Sequence, residues 1–142
     1  MAQAELSEVL SVDKDKLFQA ITRYEDYPKF VTGCNAIHVE RKAAGHARAK
    51  YEMTIMKDLT YTLDHKEDLA AGRIDWTMVS SDTLKKNQGY WELKSAGPGK
   101  TTVKYAIEIE FNIPVPGFIL NKLVKGSLPA MFRSFEKQAR TL

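Results

Sequence analysis

Between Asn35 and Phe111 the apolar residues of this chain fall on every second position, in six successive stretches joined by short connections. The stretches are Ile37 and Val39; Ala47, Ala49, Tyr51, Met53 and Ile55; Leu59, Tyr61, Leu63 and His65; Ile74, Trp76 and Met78; Gly89, Trp91 and Leu93; and Val103, Tyr105, Ile107, Ile109 and Phe111. A period of two marks strands that are dry on one face and wet on the other. Lys42 to Gly45, Ala71-Gly72 and Gly97-Pro98-Gly99-Lys100 are turn signals between them. A parallel crossover needs a dozen or more residues, so these connections predict an antiparallel meander. Its dry face must be covered.

The cover is predicted in the C-terminal segment. Ile119, Leu120, Leu123, Val124, Leu128, Met131, Phe132, Phe135 and Ala139 follow a helical period, with Lys122, Lys125, Arg133, Lys137 and Arg140 mostly on the other side. Gly126 and Pro129 predict a kink there. Before the meander, Leu6, Glu8, Leu10 and Val12 suggest a first strand, which brings the sheet to about seven strands. Asp13 is placed as a helix N-cap, and Leu17, Phe18, Ile21 and Tyr24 follow at helical spacing. Pro28 interrupts them, Glu25 to Val31 reads as a second short helix, and Gly33 ends it. The expectation is an α+β fold: a curved antiparallel sheet around a long C-terminal helix, with two short helices after the first strand plugging one end.

The chain has 142 residues, enough for one domain spanning 1–142 that buries roughly 68% of its unfolded surface. Its single cysteine, Cys34, closes neither an internal disulfide nor a cysteine-built zinc site. With 21 basic and 18 acidic residues, nucleic acid is not the default partner. No apolar run approaches the roughly 20 residues of a membrane span, and the N-terminal MAQAELSEVL lacks the pattern of a secretory signal. A cytoplasmic location is expected.

Three segments carry a family resemblance. They are VDKDKLFQAITRYEDYPKFVTGC (Val12 to Cys34), with its Tyr27-Pro28-x-Phe30 element; GYWEL (Gly89 to Leu93); and the tail FNIPVPGFILNKLVKGSLPAMFRSFEKQA (Phe111 to Ala139). With the order of elements, they resemble the SRPBCC superfamily, the START-like or helix-grip proteins, and within it the polyketide cyclase/dehydrase and coenzyme-Q-binding branch. The Leu128-Pro129 step resembles cyclase/dehydrase members more than quinone chaperones. The resemblance implies a hydrophobic cavity between sheet and long helix. Members bind lipids, sterols, polyketides, quinones and plant hormones, and a few catalyse cyclisation.

On the inward phase stand Tyr51, Tyr61, Trp76, Trp91 and Tyr105. Rings with one polar handle suit a cavity for an apolar molecule carrying a few oxygens, and they equally suit a filled core. Ala47 and Ala49 beside them either leave room or let a helix approach closely. Leu123 and Met131, from the apolar face of the last helix, complete the expected ligand-binding set. His65 shares the inward phase and is the leading candidate for a catalytic proton shuttle, with a pocket tyrosine as the alternative. The bland alternative places it half-wet at the rim, with Glu67 as the sole carboxylate near it. His38 and His46 fall on the wet phase, His46 roughly opposite Glu40, and no third ligand completes a metal site. Asp64, Glu67, Asp68, Asp75, Glu92, Glu108 and Glu110 are assigned largely to the wet face. Neither a G-x-S-x-G elbow nor a Walker loop occurs.

The leading expectation is a binding or carrier domain for a small hydrophobic molecule, without a cofactor and with transient membrane contact during delivery. The alternatives are a cyclase, dehydrase or isomerase using a pocket His or Tyr, and a ribosome- or protein-association factor using the basic helix face. Oligomeric state is left open.

Overall fold

All six period-two stretches form strands, and the N-terminal stretch joins them. The computed structural model describes residues 2–55 and 57–142; at Ala2, Ile55, Lys57, Ile119, Leu120, Leu123 and Val124 it describes the backbone alone. The order is β1 (Ala2–Leu10), α1 (Lys14–Thr22), a 3-10 turn (Tyr24–Asp26), α2 (Tyr27–Phe30), β2 (Cys34–Ala43), β3 (His46–Ile55), β4 (Lys57–Asp68), β5 (Arg73–Ser81), β6 (Leu84–Ser95), β7 (Thr101–Phe111) and α3 (Gly117–Ala139). The sheet order is β1-β7-β6-β5-β4-β3-β2, and every pairing is antiparallel. The meander thus runs β2 to β7 by hairpins, and β1 returns beside β7.

Alternation sorts the side chains as the period requires. Tyr51, Tyr61, Leu63, Ile74, Trp76, Trp91, Leu93, Val103 and Tyr105 are buried on one face. The other face carries cross-strand ion pairs such as Arg48–Asp64 at 2.8 Å and Lys86–Glu108 at 2.8 Å. At their exposure such pairs add little to stability. Burial on the inner face contributes more, ~1.5–3 kcal/mol for each large apolar side chain removed from water.

Two glycines are fixed by their surroundings. Gly72 has φ +66°, in the left-handed region, and a Cβ there would stand 2.1 Å from the Leu93 carbonyl oxygen. Gly89, in the GYWEL segment, faces Trp76: a Cβ would meet the Ala106 carbonyl oxygen at 2.1 Å and the indole at 2.7 Å.

The cover helix is one continuous element. α3 passes through Gly126 and Pro129, the site of the expected kink, and Pro129 leaves the Lys125 carbonyl without its intrahelical donor. Its C-terminal half is fastened. Leu128, Phe132, Phe135 and Ala139 are buried, and Glu136, itself 9% exposed, accepts the Ser11 backbone N–H at 2.7 Å. Arg133 pairs with Glu8, and the Arg140 guanidinium donates to the Ser11 carbonyl at 3.1 Å. Two of the five cations expected on a free basic face therefore clamp the helix to β1 and the residue after it.

One local expectation holds in position only, and a second is corrected. Asp13 occupies the N-cap position of α1, but its side chain makes no capping bond; Oδ1 instead accepts the Gly99 N–H at 2.9 Å. The carboxylate ties the β6–β7 turn to the helix rather than closing the first turn. His46 does not face Glu40. The tight turn at Ala44-Gly45 pairs His46 with Ala43, the bulge between Arg41 and Ala43 sets Arg48 opposite Glu40, and His46 lies 3.7 Å from Asp64 on the neighbouring β4.

Candidate functional site

Between the inner face of the sheet and α3 lies a cavity of about 550 Å³. The strands supply its floor and the C-terminal half of α3 its roof. Tyr24 and Tyr27, carried by the short helical turns before β2, close one end. Lining residues Thr32, Thr54, Ser127 and Ala130 are exposed, so the opening lies between the segment after α2, the end of β3 and the middle of α3.

The expected residues come together. Tyr51, Tyr61, His65, Trp76, Trp91, Tyr105 and Met131 all line the cavity. The Leu123 side chain lies outside the described residues. Ala47 and Ala49 are fully buried but do not line it, so the room is not made by these small residues. A ring network joins floor to roof: Trp91 packs on Tyr105 (centroids 4.8 Å apart), Phe135 (5.1 Å) and Phe132 (5.7 Å), and Trp76 on Tyr105 (5.4 Å).

His65 is not at a wet rim. It is 4% exposed, under the Tyr24 ring at a centroid distance of 4.2 Å. Nδ1 faces the Ala47 carbonyl oxygen at 3.4 Å and Nε2 lies 2.9 Å from the Tyr51 hydroxyl. A carbonyl only accepts, so the proton is assigned to Nδ1, and Tyr51 donates to the bare Nε2. Burial holds the imidazole down to about 4, so it is neutral at pH 7.

Glu67 departs from its expected place as well. Its side chain is 8% exposed rather than on the wet face. It shares the parity of His65, which sets it apart from Asp64 and Asp68 on the same strand. One carboxylate oxygen accepts a hydrogen bond from the Tyr24 hydroxyl at 2.5 Å and the other from the Arg41 guanidinium at 2.7 Å. Burial first, then Glu67, drives the Tyr24 phenol far above its ordinary range.

The polar groups of the lining divide into spent and free. Tyr24, Tyr27 and Tyr51 donate to Glu67, the Ile21 carbonyl and His65, and the Trp76 indole N–H donates to Asn87 Oδ1 at 3.0 Å. Among the described residues, Tyr61 and Tyr105 make no hydrogen bond through their hydroxyls, although 9% and 8% exposed. Among the same residues, the one side-chain polar atom sealed from solvent without a partner is Glu8 Oε2, outside this cavity, so both hydroxyls reach the open space. Burial raises both phenols further, keeping them protonated.

Tyr24, Tyr27, Asn87 and Phe135 join the site beyond the residues expected from the sequence. Asn87 carries a signal, since it shares the phase of Gly89 and Trp91, and Tyr24 and Phe135 fall on the helical periods of their segments; Tyr27 opens a one-turn helix too short to show a period. Cys34 is buried, and burial pushes its thiol up, away from nucleophilic chemistry. Among the described residues no group of three His, Cys, Asp or Glu gathers to hold a metal.

Solved structures share this architecture. The chain matches the Zhui aromatase/cyclase from Streptomyces sp. R1128 with TM-score 0.85 at 10% identity, covering 98% of this chain and 93% of that one. A START superfamily protein from Mycobacterium smegmatis gives 0.85 at 14%, covering 98% and 97%. The major latex-like protein 151 from Panax ginseng gives 0.73 at 12%, covering 97% of each. At these identities the likeness is one of fold. No curated protein matches the sequence. The family model described as polyketide cyclase / dehydrase and lipid transport matches residues 10–136, and the chain belongs to that family.

Proposed function

We propose that the protein binds, and carries, a small hydrophobic molecule in the cavity between the sheet and α3. One observation carries this reading: an aromatic-lined space of about 550 Å³ into which two unpartnered tyrosine hydroxyls open. Protein interiors close-pack, and ligand sites of roughly 300–1,000 Å³ are apolar with a few placed polar groups. A lipid, a quinone or a polyketide meets that description. Native mass spectrometry of the purified protein, with organic extraction, tests it. A retained or added apolar ligand at one per chain supports the reading; no ligand bound from lipid, quinone and polyketide probes contradicts it.

A second reading is turnover of such a ligand, favoured by the Tyr51–His65 contact at the cavity wall. Against it, His65 is a weak base when buried and Glu67 is already engaged by Tyr24 and Arg41. If turnover occurs, His65→Ala abolishes it and leaves ligand binding; unchanged turnover removes His65 from that role.

We place transient membrane contact at the start of α3. Phe118 is 76% exposed there, Ile113 is 49% exposed, and Lys122 and Lys125 stand exposed on the same helix. No acidic residue occurs between Glu110 and Glu136. An exposed ring beside uncompensated lysines suits an anionic lipid surface. No helix among the described residues is long and apolar enough to cross a membrane.

A further inference from the structure

The Tyr51 hydroxyl carries one proton, and the fold has already assigned it. His65 Nδ1 is held by the Ala47 carbonyl, the residue directly across the β3–β4 ladder. Nε2 is therefore left as an acceptor, 2.9 Å from the Tyr51 oxygen. Both rings are held in this geometry, His65 against Tyr24 at 4.2 Å and Tyr51 stacked on Tyr61 at 5.1 Å, and reversing the roles would set a bare Nδ1 against the Ala47 carbonyl. Both residues line the cavity. What Tyr51 offers a guest is thus lone pairs alone.

We infer that the Tyr51–His65 pair is a specificity device, which selects ligands that bring a hydrogen-bond donor, an alcohol or phenol O–H, over otherwise equal ligands whose oxygen is an ether or ketone. This rests on the cavity being the ligand site. A ligand hydroxyl donates to the Tyr51 oxygen and leaves the Tyr51→His65 bond intact. An ether or ketone oxygen set against Tyr51 faces lone pairs, and the Tyr51 proton can turn to it only by leaving Nε2 buried and unpaired. Tyr61 and Tyr105, with free hydroxyls, both donate and accept and do not discriminate. Burial keeps His65 neutral at pH 7, so this polarity holds under ordinary conditions.

The test uses two probes that differ by one methyl group, 2-naphthol and 2-methoxynaphthalene. Each displaces the neutral fluorophore N-phenyl-1-naphthylamine from the full chain at pH 7. The readout is the ratio of the two affinities. Tyr51→Phe is expected to lower the naphthol-to-ether ratio about tenfold, the scale of one hydrogen bond with a buried partner. His65→Leu frees the Tyr51 proton, so the ether is expected to gain several-fold and the ratio to fall as well. A ratio unchanged in Tyr51→Phe overturns the inference while leaving the cavity reading in place. Failure of the fluorophore and both probes to bind wild-type protein overturns the cavity reading, and the inference with it.

Discussion

The Tyr51 hydroxyl and Nε2 of His65 stand 2.9 Å apart although the two residues are not cross-strand partners: Ala47 faces His65 and Tyr61 faces Tyr51. The contact runs along the sheet beneath the Tyr24 ring, inside the cavity wall. It satisfies two buried polar groups with one bond and leaves the imidazole without a charge partner among the groups it touches.

Stability should therefore depend on pH through His65. Its folded pKa of about 4 lies below the ordinary 6.5, so between these values the unfolded chain binds the extra proton. Stability is complete above pH 6.5 and falls as pH drops toward 4, by about 3 kcal/mol at most from this residue. Urea unfolding at pH 7 and pH 4.5 measures it. His65→Gln should flatten this part of the profile; an equally steep profile in that variant would assign the loss to other groups.

The aromatic floor depends on a missing side chain. Gly89→Ala sets a methyl against the Ala106 carbonyl and the Trp76 indole, and one of them must move. The expected loss is about 2 kcal/mol, with a change in tryptophan emission as Trp76 shifts. A variant within about 0.5 kcal/mol of wild type would mean that the strands separate there at little cost.

The roof depends on a buried acid. Glu136→Ala strands the Ser11 N–H and releases Arg133 and Arg140 from their shared carboxylate, at an expected cost of about 2 kcal/mol. Glu136→Gln retains an acceptor and should lose less. Equal losses in thermal unfolding would show that charge, not the Ser11 bond, fastens the helix.

The start of α3 makes the opposite prediction. Phe118→Ser removes an exposed ring and should leave stability within about ±0.5 kcal/mol. Sedimentation with phosphatidylserine/phosphatidylcholine vesicles should fall several-fold. Unchanged sedimentation would move the membrane contact away from Phe118.

Strand positions are legible because a two-residue period has one physical cause, a sheet wet on one side; Tyr51, Tyr61, His65, Trp76, Trp91, Tyr105 and Met131 follow from it and from the helical period of α3. What escapes depends on geometry between segments distant in sequence. Glu67 meets Tyr24 across 43 positions, and Glu136 meets Ser11 across 125. No spacing rule links such pairs. The bulge before Ala43 escapes for a local reason: one inserted residue shifts a hairpin's register without altering its composition. Nor does alternation distinguish a ring that fills a core from one that borders a cavity, since both are inward.

Fluorescence titration with N-phenyl-1-naphthylamine decides whether the space under α3 is a ligand site. A ligand site there gives saturable binding of one molecule per chain, quenching of Trp76 and Trp91, and loss of both when Met131→Trp fills the lining. Binding that is absent, unsaturable or indifferent to Met131→Trp would contradict it.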